Sequence, residues 1–277
     1  MKTKRLILGL LLILFSMHLS AQELPPVVKN LESMGFKVFY IGEGYYKYQN
    51  LTSNYVVLKG DGTIIGEFAA VGAFRDGRLS IARGSQVVSS MRDVVQYASD
   101  RGNSFSYNDI AHKVVLSNYD IVDRDFNSIL QFPINSFVIF RDGLGSFEDA
   151  HAGKYKGRDD FPAYLCGIMD INGNLICPPT FEFITEIPLG GYFVIGDKFQ
   201  GQFGVCDTSG HIVIPISKTF KGYRRLINNE THEETFILTK AASGKYEKGA
   251  YKVSELVKYY AQTQDLKRAI GLCTPLK

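Results

Sequence analysis

The segment Cys166-Gly-Ile-Met-Asp-Ile-Asn-Gly-Asn-Leu-Ile-Cys-Pro178 decides the fold class, because it returns 37 residues later as Phe203-Gly-Val-Cys-Asp-Thr-Ser-Gly-His-Ile-Val-Ile-Pro215. The two copies align without a gap. A looser copy, Tyr55-Val-Val-Leu-Lys-Gly-Asp-Gly-Thr-Ile-Ile65, places Gly62 three such spacings before Gly173. Self-similarity at a fixed spacing is typical of repeat architectures, in which each unit covers the apolar face of its neighbour.

Each copy has the pattern of a β-hairpin. An Asp, Asn or Ser followed by Gly suits a tight turn, because Gly accepts a positive φ without steric cost. Apolar or β-branched residues follow each turn, as expected of a return strand. We therefore predict β-hairpins over 54–68, 164–179 and 201–215. We also predict that the residues leading them are buried between neighbouring units: Tyr55, Cys166 and Phe203.

The predicted fold class is mainly β, built from antiparallel hairpins that close as a propeller or stack as a solenoid, with short helices at both ends. A short helix follows Pro25-Pro26 and stops at Gly35, and a longer one runs over 254–270 and stops at Gly271. A capping-box pattern predicts another short helix from Ser90 to Ala98.

The sequence divides into four predicted regions. Residues 1–21 are a signal peptide and 22–53 a helix-strand cap. Residues 54–240 hold the β-repeats, with an irregular insertion near 89–160, and 241–277 form a C-terminal hairpin and helix cap. Within the repeat region, Phe74-Arg-Asp-Gly77 returns as Phe140-Arg-Asp-Gly143 after 66 residues, which is not a multiple of 37. Insertions in the middle copies or coincidence both explain this echo.

The pattern Gly-x-x-Asp-x-x-Gly-x-Ile-Val-x-Pro resembles the WG-repeat family of bacterial proteins. Its repeat-defining positions are Gly167, Asp170, Gly173 and Pro178 in one copy, Gly204, Asp207, Gly210 and Pro215 in the next, and Gly62 in the looser copy. The chain has no Trp, and the position that names the family holds Cys166, Phe203 or Tyr55. The resemblance implies a β-rich repeat array with no established catalytic residues.

The N-terminus has the pattern of a secretory signal. Lys2, Lys4 and Arg5 precede an apolar run over 6–17, and Ser20-Ala21 offers small residues for cleavage before Gln22. A retained anchor is the alternative, although the run is short for a spanning helix. We predict a periplasmic or extracellular protein with no integral membrane span after cleavage.

Export also changes the charge balance. The chain has 31 basic and 28 acidic residues, and the three basic residues before the apolar run are lost with the signal peptide. The mature protein is then formally neutral, which argues against a nucleic-acid partner. The predicted partner is an unknown protein or glycan of the cell envelope.

No linear motif for metal binding or catalysis is present. Asp170-Ile-Asn-Gly-Asn174 begins like a calcium loop, but its Gly stands at the fourth position and Phe181 at the twelfth. Asp123-Arg-Asp-Phe-Asn127 fails in the same way. We predict no metal, no cofactor and no catalytic residues. The four cysteines, Cys166, Cys177, Cys206 and Cys273, are expected as buried thiols, with a Cys166–Cys177 bridge as the alternative.

The candidate binding residues are four tyrosines around Gly42-Glu-Gly44: Tyr40, Tyr45, Tyr46 and Tyr48. Exposed tyrosines supply rigid contact area for sugars or peptides at little entropic cost. Packing beneath the first repeat is the alternative.

The predicted function is an exported, non-enzymatic binding or envelope-interaction protein, since repeat arrays present extended surfaces to partners. The alternative is an exported hydrolase with a site assembled from the irregular 100–160 segment. Its candidate groups are Asp123, His151 and Asp159-Asp160.

Export predicts the mature N-terminus. Mass spectrometry of the protein from its native host should give a first residue at or within one position of Gln22. An unprocessed chain beginning at Met1, or a lipid-modified N-terminus, would contradict the predicted compartment.

Overall fold

The computed structural model describes residues 24–52, 54–88, 104–108, 113–149, 153–155, 158–163, 165–197, 201–229, 231–240 and 249–276. The chain forms two compact units, one ending at Glu67 and one over Phe68–Lys277. The helix predicted from Ser90 to Ala98 lies outside the described residues.

The N-terminal unit combines one helix with one antiparallel sheet. Helix α1 (Pro26–Ser33) starts with a proline, whose fixed φ suits the first helical position. The helix ends before Gly35, whose amide donates to the Glu32 carbonyl at 2.9 Å. The sheet has the order β1-β2-β3-β4, with strands Val38–Gly42, Tyr45–Gln49, Tyr55–Lys59 and Ile64–Phe68. The predicted first helix and the hairpin over 54–68 are therefore confirmed.

The C-terminal unit is a series of small sheets followed by two helices. Its elements are β5 (Ala70–Val71), β6 (Leu79–Val88), β7 (Ser104–Asn108), β8 (Lys113–Val122), β9 (Leu144–Glu148), β10 (Gly153–Tyr155), β11 (Arg158–Ala163), β12 (Cys166–Asp170), β13 (Leu175–Phe181), β14 (Phe183–Ile184), β15 (Tyr192–Asp197), β16 (Gln202–Asp207), β17 (Ile212–Ser217), β18 (Gly222–Ile227), β19 (Glu234–Thr239), β20 (Ala250–Lys252), α2 (Val253–Thr263) and α3 (Leu266–Leu272). The sheet orders are β5-β6-β8-β7, β13-β12-β9, β14-β15-β16-β17, β18-β19-β20 and β10-β11. The protein is mainly β, in antiparallel hairpin sheets, and the hairpins predicted over 164–179 and 201–215 are β12–β13 and β16–β17.

A two-residue turn with positive φ at both positions leads into one strand in each of several sheets. Asp76-Gly77 precedes β6, Asp142-Gly143 precedes β9, and Gly190-Gly191 precedes β15. Glu43-Gly44 does the same before β2 in the N-terminal unit. Such turns match the twist of the strands they connect. The two Phe-Arg-Asp-Gly segments therefore form equivalent turns, at Asp76-Gly77 and Asp142-Gly143, in repeats that differ in their insertions.

A second element of the repeat is a loop organised by one aspartate. The Asp170 carboxylate accepts hydrogen bonds from the amides of Asn172 (2.8 Å) and Asn174 (2.9 Å). The Asp207 carboxylate accepts them from Ser209 (2.9 Å) and His211 (3.0 Å). In both loops a Gly at the fourth position donates back to the aspartate carbonyl. These bonds occupy backbone donors that the tight reversal would leave unpaired.

A third loop of this kind begins at Asp123, inside the segment from which no repeat could be read. Its carboxylate accepts hydrogen bonds from the amides of Asp125 (2.9 Å) and Asn127 (3.0 Å). Phe126 takes the position of the turn Gly, with a φ of +63°. Its ring contacts those of Phe68 (6.0 Å) and Phe74 (6.1 Å), and this packing holds a conformation that a bulky residue rarely adopts.

Each loop packs against the return segment of the preceding repeat. A methyl group added at Gly173 would lie 2.5 Å from the Ile129 carbonyl oxygen, and one added at Gly210 would lie 2.4 Å from Cys177 Sγ. No carbon tolerates such contacts. The two turn glycines are therefore required both for their positive φ and for the close approach of successive repeats.

The four cysteines are buried, as predicted. Cys166, Cys177 and Cys206 share one apolar cluster with Ile168 and Phe193, which joins two successive hairpins. Burial raises the pKa of the Cys206 thiol to about 12, with smaller contributions from Cys177 and Asp207. A thiol in that state packs as a small apolar group and is a poor nucleophile.

Two predictions about burial and helix bounds were wrong. Of the three leading residues, only Cys166 is buried, and Tyr55 and Phe203 are half-buried. Tyr55 lines a surface groove, and the Phe203 ring packs against that of Tyr223, with centroids 5.3 Å apart. The helix predicted over 254–270 is two helices. Gln264 adopts a left-handed φ of +52°, and the Asp265 carboxylate accepts the amides of Lys267 and Arg268 as the cap of α3, which includes Gly271.

The contact at Gly210 gives a stability prediction. Gly210→Ala should lower the free energy of unfolding by about 2–4 kcal/mol, since left-handed strain and overpacking add. Gly191→Ala is the matched control. It has a similar φ (+82°), and no atom of the described residues lies within 4 Å of the added carbon, so strain alone should cost about 1–2 kcal/mol.

Urea denaturation measures both changes. Cys177→Ala in the Gly210→Ala background should recover part of the loss, because it removes Sγ, the atom nearest to the new methyl, although Cβ at 2.7 Å remains. Equal losses for the two glycine variants would show that the repeats do not pack through Gly210.

Candidate functional site

The structure separates the four predicted tyrosines between two faces of the N-terminal sheet. Tyr40 pairs with Tyr46 across β1 and β2, and Tyr48 lies two residues further along the same face. Tyr45 lies on the opposite face, since successive strand residues alternate. Tyr45 is 6% exposed and Tyr40 is 64% exposed. The four side chains therefore do not form one surface.

The exposed tyrosines are held by local contacts. The Tyr40 and Tyr46 rings are 5.2 Å apart, and the Tyr40 hydroxyl accepts a hydrogen bond of 3.4 Å from the Gly44 amide in the adjoining turn. Tyr48 packs on Phe36, with ring centroids 5.1 Å apart. These contacts stiffen the sheet at both ends of β1.

A groove of about 490 Å³ lies at one end of this sheet. The described residues that line it are Met34, Gly35, Phe36, Lys37, Phe39, Gln49, Asn50, Leu51 and Tyr55. Three of its apolar side chains are open to solvent: Leu51 is 96% exposed, Met34 65% and Phe39 40%. A concave apolar surface with a few polar groups is the usual form of a ligand site.

The loop that carries Leu51 is fixed by a polar network. The Asn50 side-chain oxygen accepts the amides of Thr52 and Asn54, each at 3.0 Å. Glu67 accepts from the Asn50 and Asn54 side-chain amides, the latter at 3.1 Å, and from the Thr52 hydroxyl at 3.2 Å. An apolar side chain is thereby presented to solvent on a stiff support.

Lysine ammonium groups cover aromatic rings on the groove face of the sheet. Lys37 lies 5.1 Å from the centroid of Phe39, Lys47 lies 4.9 Å from Tyr55, and Lys59 lies 5.9 Å from Tyr45. Each geometry is that of a cation–π contact. Burial lowers the pKa of Lys47 below its ordinary value.

A second groove of about 350 Å³ lies in the C-terminal unit, between β14 and β18. Phe183, Tyr223 and Phe236 form its aromatic wall, and the Phe183 and Tyr223 centroids are 5.3 Å apart. At its edge Arg225 pairs with Glu234, which also binds Arg141. Its apolar lining is less exposed than that of the N-terminal groove.

The groups of the alternative hydrolase site are only partly described. Asp159 and Asp160 lie on β11, but their side chains, like His151, lie outside the described residues. Burial opposes the ionisation of Asp123. Hydrogen bonds from Asn127 and Asp125 outweigh the effect of burial, so the pKa of Asp123 is lowered. Asp123 is thus an ionised turn residue. Within the described ranges, no group of three or more His, Cys, Asp or Glu side chains is placed to hold a metal.

The comparisons with known proteins identify no family. No family model matches the chain, and no curated protein matches it. Among solved structures, the chain is similar to BBS1N in its complex with ARL6DN, in a crystal soaked with lead. That match covers 73% of each chain at 10% identity with a TM-score of 0.27. A similarity at this level carries no argument about function.

None of the helices in the described part of the chain is long and apolar enough to cross a bilayer. The longest of them, α2, has 11 residues and turns Leu256 toward the core.

Most of the residues that line the groove carry no signal in the sequence. Phe39, Leu51 and Met34 are single apolar residues whose grouping depends on the fold. One signal was available: Leu51 stands alone in Asn50-Leu-Thr-Ser-Asn54, a run of turn-forming polar residues. A lone leucine in such a loop has no strand pattern that could bury it.

The polar network gives a pH prediction. Hydrogen bonds from Asn50 and Asn54 lower the pKa of Glu67. The loop conformation that the Glu67 carboxylate stabilises should persist above the pKa of Glu67 in the unfolded chain, near 4.3. It should be lost as the pH falls through the lower pKa of Glu67 in the folded protein.

Amide chemical shifts of Thr52 and Asn54, followed by NMR from pH 7 to pH 2, should therefore move toward disordered values. In Glu67→Gln, which keeps an acceptor oxygen, this transition should disappear. The same transition in Glu67→Gln would assign it to another group.

Proposed function

We propose that this chain is an exported, non-enzymatic binding protein and that the N-terminal groove is its ligand site. The observation that carries the proposal is the stiff presentation of Leu51, 96% exposed, beside a groove of about 490 Å³. The partner is an unidentified protein or glycan of the cell envelope.

The grouping of the exposed side chains matters more than their number. Single apolar residues are common on protein surfaces and need no explanation. Met34, Phe39 and Leu51, however, surround one concavity, and grouped apolar exposure marks interaction sites. Removing this apolar surface from water is favourable, and a partner that covers the groove would supply that burial.

The stiffness of the loop supports binding further. A flexible side chain loses conformational entropy when a partner immobilises it, at about 0.5–1.5 kcal/mol for each residue. The hydrogen bonds of Asn50 and Glu67 fix the loop before any partner arrives. A preorganised apolar contact is typical of recognition surfaces.

Sequence patterns support the remaining parts of the proposal. The N-terminal signal pattern supports export to the periplasm or the extracellular space. The Asp-x-x-Gly loops at Asp170 and Asp207, which recur with one geometry, support repeats of the WG type. The described carboxylates with shifted pKa values all have them lowered, so none is poised as a proton donor.

A binding screen tests the proposal. The mature chain, beginning at Gln22, is applied to a glycan array and to an array of random dodecapeptides. Leu51→Ser and Phe39→Ala should weaken any saturable binding at least tenfold, because each removes apolar contact area. Ile212→Ser in the C-terminal unit is the control, since Ile212 is also exposed (56%) and lies outside the groove.

Two results would contradict the proposal. Binding that is equally strong in the groove variants and in the control would place the ligand site elsewhere. Turnover of glycan, peptide or ester substrates, without saturable binding at the groove, would favour the hydrolase alternative.

A further inference from the structure

The groove combines apolar walls with one sign of charge. Among the described residues that line it, Lys37 is the one with a charged side chain, and Met34, Phe36, Phe39 and Leu51 are apolar. The ionised carboxylate of Glu67 is not among the described residues that line the groove, and its Oε1 accepts hydrogen bonds from Asn50, Thr52 and Asn54. A ligand in the groove therefore meets apolar surface and a positive charge.

Two aromatic rings of the groove each have one face covered by a lysine, which reduces the open ring face available to a sugar. Carbohydrates stack their C–H groups on an open aromatic face, where the ring quadrupole is negative. Here a lysine ammonium lies over one face of Phe39 (5.1 Å) and one face of Tyr55 (4.9 Å). The edges of the rings and the aliphatic side chains of Met34 and Leu51 add apolar contact area, which suits the apolar side chains of a peptide.

An ammonium held over a ring is also placed for an anion. The contact with Phe39 fixes the Lys37 side chain at the groove without neutralising its charge. A carboxylate that approaches this ammonium gains a charge-assisted hydrogen bond, and the adjoining apolar surface lowers the local dielectric. A basic group at the same position would be repelled.

We propose, on the basis of the binding role above, that the groove takes an extended peptide segment in which an acidic residue adjoins an aromatic or large aliphatic residue. The apolar side chain lies between Phe39 and Leu51, and the carboxylate pairs with Lys37. The charge selects the partner, and the apolar contacts supply most of the affinity.

Matched peptide series test this inference. Dodecapeptides with a central Phe or Leu flanked by Asp or Glu are compared, by fluorescence anisotropy, with peptides that carry Lys or Gln at the same positions. The full mature chain should bind the acidic series about fivefold to tenfold more tightly than the Gln series and the Lys series least. The preference should shrink at high salt.

Charge reversal at the groove is the decisive variant. Lys37→Glu should lose the acidic preference and bind the Lys series more tightly than the wild type does. Lys258→Glu is the matched control, because Lys258 also lies over an aromatic ring, that of Tyr259 at 5.6 Å, but in the C-terminal unit. Circular dichroism and thermal melting confirm that both variants are folded.

The outcomes separate this inference from the proposed function. Equal binding of acidic and basic peptides, or an unchanged preference in Lys37→Glu, overturns the inference while groove binding can stand. Binding of glycans alone, weakened by Phe39→Ala and Leu51→Ser, would also overturn the inference and leave the proposed binding role in place. If neither peptides nor glycans bind in a way that these two variants weaken, both proposals fail.

Discussion

The hydrogen bonds from loop amides to one aspartate carboxylate are the constraint on which the repeated part of this protein depends. In the loops at Asp123, Asp170 and Asp207, the carboxylate accepts two backbone amides of the reversal. Burial opposes the charge of Asp170, but the hydrogen bonds from Asn174 and Asn172 prevail and its pKa is lowered. The charged form is thus part of the fold. Replacing the carboxylate with an alkyl group would leave polar donors unpaired at each repeat.

These loops matter because they are also the contacts between repeats. The turn glycines at Gly173 and Gly210 approach the preceding repeat so closely that a single methyl group would collide with it. Arg78 adds a link of the same kind, since its side chain donates to the Ile171 carbonyl at 2.7 Å. The same few residues therefore determine both the local turn geometry and the packing between repeats.

The N-terminal unit fixes its hairpin with other residues, and its polar network lies beside the candidate site. Its hairpin has Lys59 where the other loops have their aspartate, and Asp61 instead accepts the Thr63 amide at 2.9 Å. The polar network of this unit lies at the opposite end of the sheet, where Asn50 and Glu67 fix the loop that carries Leu51. The apolar side chains at this end line the groove.

Sequence alone determined the elements whose signals are local. The turn dipeptides at Gly62, Gly173 and Gly210 identified three hairpins, because few residues other than Gly accept the required φ. The apolar or β-branched residues that follow these turns identified a β protein, and a proline pair located the first helix. The burial of Cys166 and Cys206 also followed from their apolar neighbours in the predicted hairpins.

Tertiary structure decided what depends on contacts between distant residues. The repeat at Asp123 was hidden because Phe126 stands where Gly is expected, and only packing against Phe68 and Phe74 makes that conformation tolerable. The break between the C-terminal helices depended on which of two local options, continuation or capping by Asp265, the packing favoured. The four tyrosines are close together in the sequence, but strand alternation places Tyr45 on the other face of the sheet. The groove joins Met34, Phe39 and Leu51 from a helix end, a strand and a loop, and no periodicity in a sequence records which such residues meet in space.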